Sequence, residues 1–338
     1  MTKPINIGII GAGRIARVHA ENLVYRIPEA KVLAVADVIY DAAQKLASAF
    51  QIPASFPDAG AIFDDARIDA VLICSSTDTH AQMIESAAAA RKHIFCEKPI
   101  ALDLAKIDHA LDAVKRAGVK LQIGFNRRFD PSFKRVREMI ASGQIGAPHI
   151  LRITSRDPAP PPMAYVQVSG GIFLDMTIHD FDMARFLFGE VVEVYATGNV
   201  LVDPEIGKAG DVDTAVVTLK FANGAIGVID NSRKAIYGYD QRIEAFGSGG
   251  VAIANNKTPD TVVASDGAGV HSAKPLYFFL ERYMDAFASE MREFIAAIAQ
   301  DKPTPVTGID GRVPVVMGYA ALKSLKENRP VKLLEVGG

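Results

Sequence analysis

The sequence opens on a glycine-rich turn that constrains its fold more than any other segment. An apolar stretch, Ile5–Ile10, runs into Gly11-Ala12-Gly13-Arg14-Ile15-Ala16, and after a helix-compatible run a second apolar stretch, Val32–Ala36, ends at Asp37. The first glycine permits a tight turn, the second lets the backbone approach a pyrophosphate, and the small Ala16 lets the helix pack closely. The helix N-terminus favours phosphate, and an acid about 20 residues further on accepts ribose hydroxyls. A glycine turn in another kind of unit would leave Asp37 unexplained, so the pattern predicts a dinucleotide site.

Composition limits the class of partner. The chain has 338 residues, which suggests two domains, and a net charge of −2. It has no long run of Lys or Arg, so we expect neither nucleic acid nor an anionic membrane as partner. Cys74 and Cys96 lie in separate apolar stretches without metal-ligand spacing, which favours two reduced core thiols. No stretch has the pattern of a signal peptide or a membrane span, so we expect a soluble cytoplasmic protein.

Two patterns of secondary structure divide the chain. Up to residue 124, short apolar strands alternate with helical stretches, which predicts an α/β Rossmann dinucleotide-binding domain with a parallel sheet over residues 1–124. Residues 125–338 are predicted to form an α+β domain for substrate binding and oligomerisation. Several strands follow one another there, with a hairpin turn at Asn223-Gly224, which predicts a large open, mostly antiparallel sheet. A long helix is predicted over about 276–300. Because no helix remains to cover the far face of the sheet, we expect self-association.

Three ionisable residues recur on one predicted helix. The stretch from about Phe173 to Leu187 has a helical pattern, and Asp175, His179 and Asp182 have the i, i+4, i+7 spacing that aligns them on one stripe. Such groups are costly to bury unpaired on an apolar helix, which favours a functional cluster. The structural alternative is a helix cap at Asp175 with a core histidine. The remaining ligands of a metal site are missing, so no metal is predicted.

Further candidates follow the last strands of the first domain. Lys98 comes directly after a strand, at the edge where open α/β sheets bind ligands, although a lysine and a proline after a strand are also common on surfaces. Pro99 permits either isomer of the peptide bond before it. In the run Asn126-Arg127-Arg128-Phe129, an arginine either holds a hydroxylated or anionic ligand or stabilises the domain junction. Tyr237 suits a polyhydroxyl ligand or packing at a sheet rim.

These motifs resemble those of the Gfo/Idh/MocA oxidoreductases along essentially the whole chain. The resemblance is carried by GIIGAGRIA near the start, CEKPIA at 96–101, GFNRRFDP at 124–131 and GGIFLDMTIHDFD at 170–182. Through SRDPAPPP at 155–162 the chain is most similar to the inositol-oxidising members. The resemblance implies NAD-dependent oxidation of a secondary hydroxyl of a cyclic polyol, first of all myo-inositol, by a homotetramer. The alternatives are another cyclitol or a pyranose as substrate, or a non-catalytic NAD(P)-sensing regulator on the same fold.

The resemblance also implies residue roles. His179 is the expected base, Asp175 orients it, and Lys98 hydrogen-bonds the reacting hydroxyl. The residues expected to touch the substrate are Lys98, Arg128, Asp157, Asp175, Met176 or Thr177, His179, Asp182 and Tyr237. Those expected to bind the cofactor are Gly11, Gly13, Arg14, Ile15, Asp37, Ser75, Thr77, His80, Glu97 and Lys98.

Two of these positions bear on selectivity. Asp37 favours NAD, because its carboxylate accepts the ribose 2′-hydroxyl and repels the 2′-phosphate of NADP, while Arg14 works against that preference. Asp157 and Met176 stand where some relatives carry Asn and Thr, which leaves the selectivity for ring hydroxyls open.

Overall fold

The chain forms two compact units, seen in a computed structural model that describes residues 3–337. Unit 1 contains the chain up to Phe129 together with Asp285–Val313, and unit 2 contains Asp130–Met284 together with the chain from Pro314 onward. The first elements are β1 (Ile5–Ile10), α1 (Arg14–Arg26), β2 (Ala30–Ala36), α2 (Tyr40–Phe50), β3 (Ala54–Phe56), α3 (Gly60–Asp64), β4 (Ala70–Ile73), α4 (His80–Ala89), β5 (His93–Glu97), α5 (Leu104–Ala117) and β6 (Leu121–Gly124).

The later elements begin with a helix and a long strand. They are α6 (Pro131–Ala141), β7 (Pro148–Arg156), α7 (Met163–Val166), α8 (Gly171–Asp175), α9 (Ile178–Phe188), β8 (Val191–Asn199), α10 (Pro204–Lys208), β9 (Thr214–Phe221), β10 (Ile226–Ser232), β11 (Asp240–Gly247), β12 (Gly250–Ala254), β13 (Val263–Asp266), β14 (Gly269–Ser272), α11 (Phe279–Arg282), α12 (Met284–Ala299), α13 (Gly308–Glu327) and β15 (Val331–Lys332). Short 3₁₀ turns occupy Thr77–Thr79, Asn126–Phe129 and Leu333–Glu335.

Unit 1 is built on a parallel sheet in the order β3-β2-β1-β4-β5-β6. The central strand β4 is buried at all four positions, as expected for a strand that is covered on both faces. The strand order reverses between β1 and β4, and ligands of such sheets bind at the carboxyl ends of the strands beside this reversal. The predicted Rossmann-type α/β fold is confirmed.

The chain returns to unit 1 after residue 284, and the sequence did not predict this return. Residues 125–129 and Asp285–Val313 belong to unit 1, whereas the prediction placed everything after residue 124 in the second domain. The cause is apolar packing, because α12 contributes Phe294 to the core cluster that holds Phe95, with the two ring centroids 5.9 Å apart. Burying an aromatic side chain contributes about 1.5–3 kcal/mol, and a local sequence pattern does not show which core receives it.

Unit 2 contains a seven-stranded sheet in the order β12-β11-β7-β10-β9-β8-β15. The central pair, β7 and β10, is parallel and the other pairs are antiparallel, which confirms the prediction of a mostly antiparallel sheet. The predicted hairpin turn joins β9 to β10: Gly224 has a φ of 89° and the Asn223 side chain accepts the N–H of Ala225 at 3.0 Å. A separate hairpin of β13 and β14 was not predicted.

Two helices that the sequence predicts as continuous are broken. The prediction of a single helix from about Phe173 to Leu187 is wrong, because α8 ends at Asp175 and α9 begins at Ile178. Thr177 makes the break: its amide donates to the carbonyl of Ile172 at 2.8 Å, and its hydroxyl donates to Asn231 Oδ1 at 2.6 Å. Asp175 therefore does not share a helix stripe with the residues of α9. The helix predicted over 276–300 is likewise two helices, α11 and α12.

A membrane span would need a long apolar helix, and none of the helices formed by residues 3–337 has that length and hydropathy. The cytoplasmic location stays a prediction.

A buried carboxylate organises one turn of unit 2. Asp213 accepts the backbone N–H groups of Leu201, Val202 and Asp203 at 2.8–2.9 Å. Burial alone would raise the pKa of this carboxyl, but the backbone donors outweigh it and the pKa is lowered.

Replacing this carboxylate tests its contribution to stability. Asp213→Asn should lower the free energy of unfolding at neutral pH by about 1–3 kcal/mol, since an amide offers one acceptor oxygen to three donors. Because the folded pKa is depressed, the stabilisation is present above the ordinary carboxyl pKa and is lost as the pH falls through the folded value. Urea unfolding measured from neutral to acidic pH should show the difference shrinking. The control is Asp260→Asn, an exposed carboxylate that accepts the N–H of Val262; equal midpoints for both variants would contradict the expectation.

Candidate active site

The glycine turn has the geometry that the sequence predicts. Gly11 has a φ of 94°, and a Cβ there would lie 2.6 Å from the carbonyl of Cys74, so no larger residue fits. Gly13 is the N-cap of α1, and a Cβ placed on it would meet no atom within 4 Å. Within α1, Ala16 is fully buried, whereas Arg14, the first residue of the helix, is exposed. The turn therefore leaves space at the N-terminus of α1, where backbone N–H groups point outward.

Asp37 lies at the end of β2 and is bonded to this turn. Its Oδ2 accepts the N–H of Ala12 at 2.7 Å, and its Oδ1 accepts the N–H of Ile39 at 2.8 Å. An ionised carboxylate has about four acceptor positions, so two backbone bonds leave capacity for further donors. The carboxylate is thus fixed beside the glycine turn while it can still accept hydroxyls.

The loops after β4 and β5 emerge at the same edge of the sheet as the glycine turn. Ser75 follows β4 and its hydroxyl lies 2.7 Å from that of Thr79, within the turn that contains Thr77. Lys98 follows β5, is partly exposed, and is joined to Pro99 by a cis peptide bond. The structure therefore brings the predicted cofactor residues of unit 1 to one edge, as the strand order requires.

Two histidines connect these loops to the rest of unit 1. The buried ring of His80 bridges two backbone carbonyls, with Nδ1 2.8 Å from that of Pro99 and Nε2 3.0 Å from that of Ser75. His19, on α1, lies with Nε2 2.7 Å from Glu97 Oε1 and is fully buried. The side chains of His80 and Glu97 are therefore engaged within the protein, and their role towards the cofactor stays a prediction.

Arg128 is buried in the 3₁₀ turn that follows β6. Its Nη2 donates to Asp310 Oδ1 at 3.0 Å. Burial opposes ionisation of Asp310, but the Arg128 charge and the donors of Thr307 lower the pKa of this carboxyl below its usual value. The guanidinium is thus held in one orientation by a carboxylate that stays ionised.

In unit 2, Asp175 is held by two side chains that the sequence analysis did not single out. Tyr165 donates its hydroxyl to Asp175 Oδ1 at 2.8 Å, and Arg233 donates Nη1 to Oδ2 at 3.0 Å. The same Nη1 lies 3.9 Å from Asp157 Oδ2. These contacts span 10 and 58 residues of sequence, and no local pattern marks an arginine after a strand as the partner of a distant carboxylate.

The other predicted residues of this unit lie around the break between α8 and α9. Met176 is buried at the break, His179 lies half-buried in the first turn of α9, and Asp182 is buried further along that helix. The amide of His179 donates to the carbonyl of Met176 at 3.3 Å. His179 therefore lies in the first turn of α9, directly after the helix break.

Tyr237 belongs to a polar network of its own. Its hydroxyl donates to Asp240 Oδ2 at 2.6 Å and accepts from Arg156 Nη1 at 3.1 Å. Burial and the neighbouring Asp240 raise the pKa of Tyr237. Its contact with a substrate stays a prediction. Across residues 3–337, no group of three His, Cys, Asp or Glu side chains is arranged to hold a metal ion.

Sequence models of known families match both parts of the chain. One described as "Oxidoreductase family, NAD-binding Rossmann fold" matches residues 5–125, and one described as "GFO/IDH/MocA C-terminal domain" matches residues 133–253. The chain belongs to the GFO/IDH/MocA family. It is thus an NAD-dependent oxidoreductase, and the predicted family, enzyme class and cofactor are confirmed.

Named members of the GFO/IDH/MocA family are similar over nearly the whole chain. A protein named myo-inositol 2-dehydrogenase from Thermotoga maritima is 54% identical over 335 residues, which cover 99% of this chain and 100% of the relative. An inositol 2-dehydrogenase from Rhizobium meliloti is 47% identical and covers 97% and 99%. The crystal structure of scyllo-inositol dehydrogenase from Lactobacillus casei, with bound NAD(H) and scyllo-inositol, has a TM-score of 0.92 at 31% identity and covers 98% and 100%.

The residues at the glycine turn fit NAD. Gly13 leaves open space at an N-terminus that has no side-chain cap, which suits a pyrophosphate. Asp37 is fixed by two backbone bonds and retains acceptor positions, which suits the ribose hydroxyls.

Removing the charge of Asp37 tests this assignment. Asp37→Asn keeps an acceptor oxygen for one of the two backbone N–H groups and loses the charge-assisted bonds to ribose, so NAD should bind on the order of tenfold to a hundredfold more weakly. NADP should lose less, because the repulsion of its 2′-phosphate is removed. Calorimetric titration with both cofactors measures the ratio, with the exposed Asp41→Asn as control. An unchanged ratio of the two affinities would show that Asp37 does not face the ribose.

Proposed function

We propose that this protein oxidises one secondary hydroxyl of a cyclic polyol with NAD, and that its main reaction converts myo-inositol to 2-keto-myo-inositol. Asp175 carries the proposal: a half-buried carboxylate with both oxygens held, four residues before His179, in a chain that has an NAD-binding fold. The name of the Thermotoga maritima relative and its 54% identity along the whole chain support the choice of substrate. The structure with bound scyllo-inositol makes that stereoisomer the second candidate.

In the proposed reaction, His179 takes the proton of the reacting hydroxyl. A histidine suits this step because its ordinary pKa lies close to neutral pH. Asp175 orients the imidazole and stabilises its charged form. Lys98 stabilises the negative charge that develops on the substrate oxygen. NAD, when bound, accepts the hydride from the carbinol carbon, and the chain supplies position and charge.

The remaining polar groups are proposed to select the ring. Arg128 donates to ring hydroxyls with its guanidinium, which Asp310 fixes. Asp157, Asp182 and Tyr237 are proposed as further hydroxyl partners, and the buried Met176 as an apolar contact.

We also propose that the protein is a homo-oligomer, and by family resemblance a tetramer, that associates through the open face of the unit 2 sheet. Neighbouring strands of that sheet expose large apolar side chains, namely Val216, Ile226, Phe246, Val251 and Ile253. Exposed apolar side chains on one sheet face favour burial by association. Sedimentation velocity measures the state, and a monomer at micromolar concentration would sink this part of the proposal.

A substrate panel tests the function directly. The rate of NADH formation at 340 nm should be highest with NAD and myo-inositol, lower with scyllo-inositol and D-chiro-inositol, and lowest with glucose and with NADP as cofactor. Turnover of glucose alone would keep the reaction class and change the substrate. Absence of turnover with every cyclitol and pyranose, while NAD still binds, would contradict the enzyme assignment for these substrates.

The pH dependence tests the role of His179. For the native chain, kcat/KM should rise with pH as a histidine base loses its proton, since only the neutral imidazole accepts one. His179→Ala should lower the rate by about 10²–10⁴ and remove this rise. His271→Ala, at an exposed position of the β13–β14 hairpin, is the matched control. If His179→Ala keeps the shape of the profile, another group is the base.

A further inference from the structure

The carboxylate of Asp175 is constrained from two sides. Oδ1 accepts the hydroxyl of Tyr165 at 2.8 Å, and Oδ2 accepts Nη1 of Arg233 at 3.0 Å. Because a donor bonds each oxygen, rotation of the carboxylate about its last bond breaks both hydrogen bonds. Its remaining lone pairs are therefore directed towards fixed positions.

Arg233 cannot move away from this carboxylate. Its own amide donates to the carbonyl of Asp213 at 2.8 Å, and its side chain is 2% exposed. Nε and Nη2 are buried and have no hydrogen-bond partner among residues 3–337. The ion pair through Nη1 therefore offsets only part of the cost of burying the guanidinium. A buried ion pair with this imperfection contributes little net stability. Stability alone therefore does not account for the arrangement.

Tyr165 differs from Arg233 in its surroundings. It follows the proline-rich loop Asp157–Pro162, and the residue is 47% exposed. Desolvation of the hydroxyl and the charge of Asp175 raise the pKa of Tyr165 well above its usual range. The hydroxyl is therefore protonated at neutral pH and acts as a donor to Asp175.

The segment around Arg233 and the Tyr165–Asp175 contact lie at opposite ends of the proline-rich loop. At the first end, the amide of Asp157 donates to the carbonyl of Ser232 at 2.9 Å, and its carbonyl accepts the amide of Ala235 at 2.7 Å. At the far end, Tyr165 is tied to Asp175. Backbone bonds from Ser232 and Ala235 therefore anchor the start of this loop beside Arg233, and the Tyr165–Asp175 bond anchors the helix that follows it.

We propose that Arg233 and Tyr165 are positioning residues that act through Asp175, fixing the direction in which its carboxylate meets His179 and the polyol. This inference rests on the proposed function. Neither residue is proposed to touch the reacting atoms. A small displacement of an orienting group is sufficient to lower a rate by about a hundredfold, because the productive geometry is narrow.

A double-mutant cycle separates this role from a merely structural one. Tyr165→Phe and Arg233→Lys are measured alone and combined with Asp175→Asn, for kcat and KM with myo-inositol and for the affinity of NAD. Each single variant should lower kcat by about tenfold to a hundredfold, the effect of losing a hydrogen bond to a charged group, with the NAD affinity unchanged. In the Asp175→Asn background the further loss should be within about twofold, because both residues act through that carboxylate. Equal losses in the two backgrounds would overturn the proposal.

Matched variants control for stability. Tyr195→Phe removes a hydroxyl that bonds Asn328 at 3.1 Å, and Arg282→Lys alters a buried arginine that pairs with Asp130. Both should keep kcat within about twofold. Tyr165→Phe changes a partly exposed side chain by one atom, so it keeps the proposal testable even if Arg233→Lys fails to fold.

A second readout is independent of turnover. The ¹³C signal of the Asp175 carboxyl carbon is assigned by its absence from the spectrum of Asp175→Asn. This carboxyl should titrate at higher pH in Tyr165→Phe than in the native chain, because a donor to its ionised form is lost. If the native chain oxidises no cyclitol but this shift occurs, the proposed function fails and the positioning of Asp175 stands. An unchanged titration would overturn the positioning proposal whatever the activity.

Discussion

The close approach of Gly11 to the carbonyl of Cys74 is the constraint on which unit 1 depends. A Cβ at Gly11 would lie 2.6 Å from that carbonyl, and the backbone there has a φ of 94°. The approach lets the turn after β1 pass directly over the end of β4, at the point where the strand order reverses. The space at Gly13, the acceptor positions of Asp37 and the loop that carries Lys98 all belong to this one edge. A larger residue at Gly11 would displace the turn from β4 and separate these parts.

Both units fix their functional groups by the same physical means. Four charged side chains that are proposed to meet a ligand have a partner within the same unit, so their orientation is set before binding. The pairs are Asp37 with the amides of Ala12 and Ile39, Glu97 with His19, Arg128 with Asp310, and Asp175 with Tyr165 and Arg233. Such groups lose little conformational freedom when a ligand arrives, which favours selective binding of the proposed cyclic polyol.

The features that the sequence predicted are those set by neighbours along the chain. The glycine turn, the acid after β2 and the Asn223-Gly224 hairpin follow from local geometry, and all three are present. The break between α8 and α9 was missed because Thr177 bonds to Asn231, 54 residues away. Arg233 was missed for the same reason, since its partner Asp175 lies 58 residues away. The return of α12 to unit 1 depends on an apolar contact between distant segments. Long-range contacts override helix and boundary patterns, and a single sequence does not encode them locally.

The charges around Asp175 argue for a neutral substrate. Asp157 and Asp211 lie in the surroundings of the same guanidinium, so three carboxylates share the single positive charge of Arg233. Burial and the neighbouring Asp175 raise the pKa of Asp211, against the opposing effect of its backbone donors and of Arg233. Around this guanidinium the carboxylates outnumber the cation, which disfavours a phosphate or carboxylate group of a ligand beside Asp175. The same acceptors suit a ring that presents a hydroxyl on every carbon, because each hydroxyl is a donor. The charges that hold Asp175 in place are thus consistent with the proposed uncharged polyol substrate.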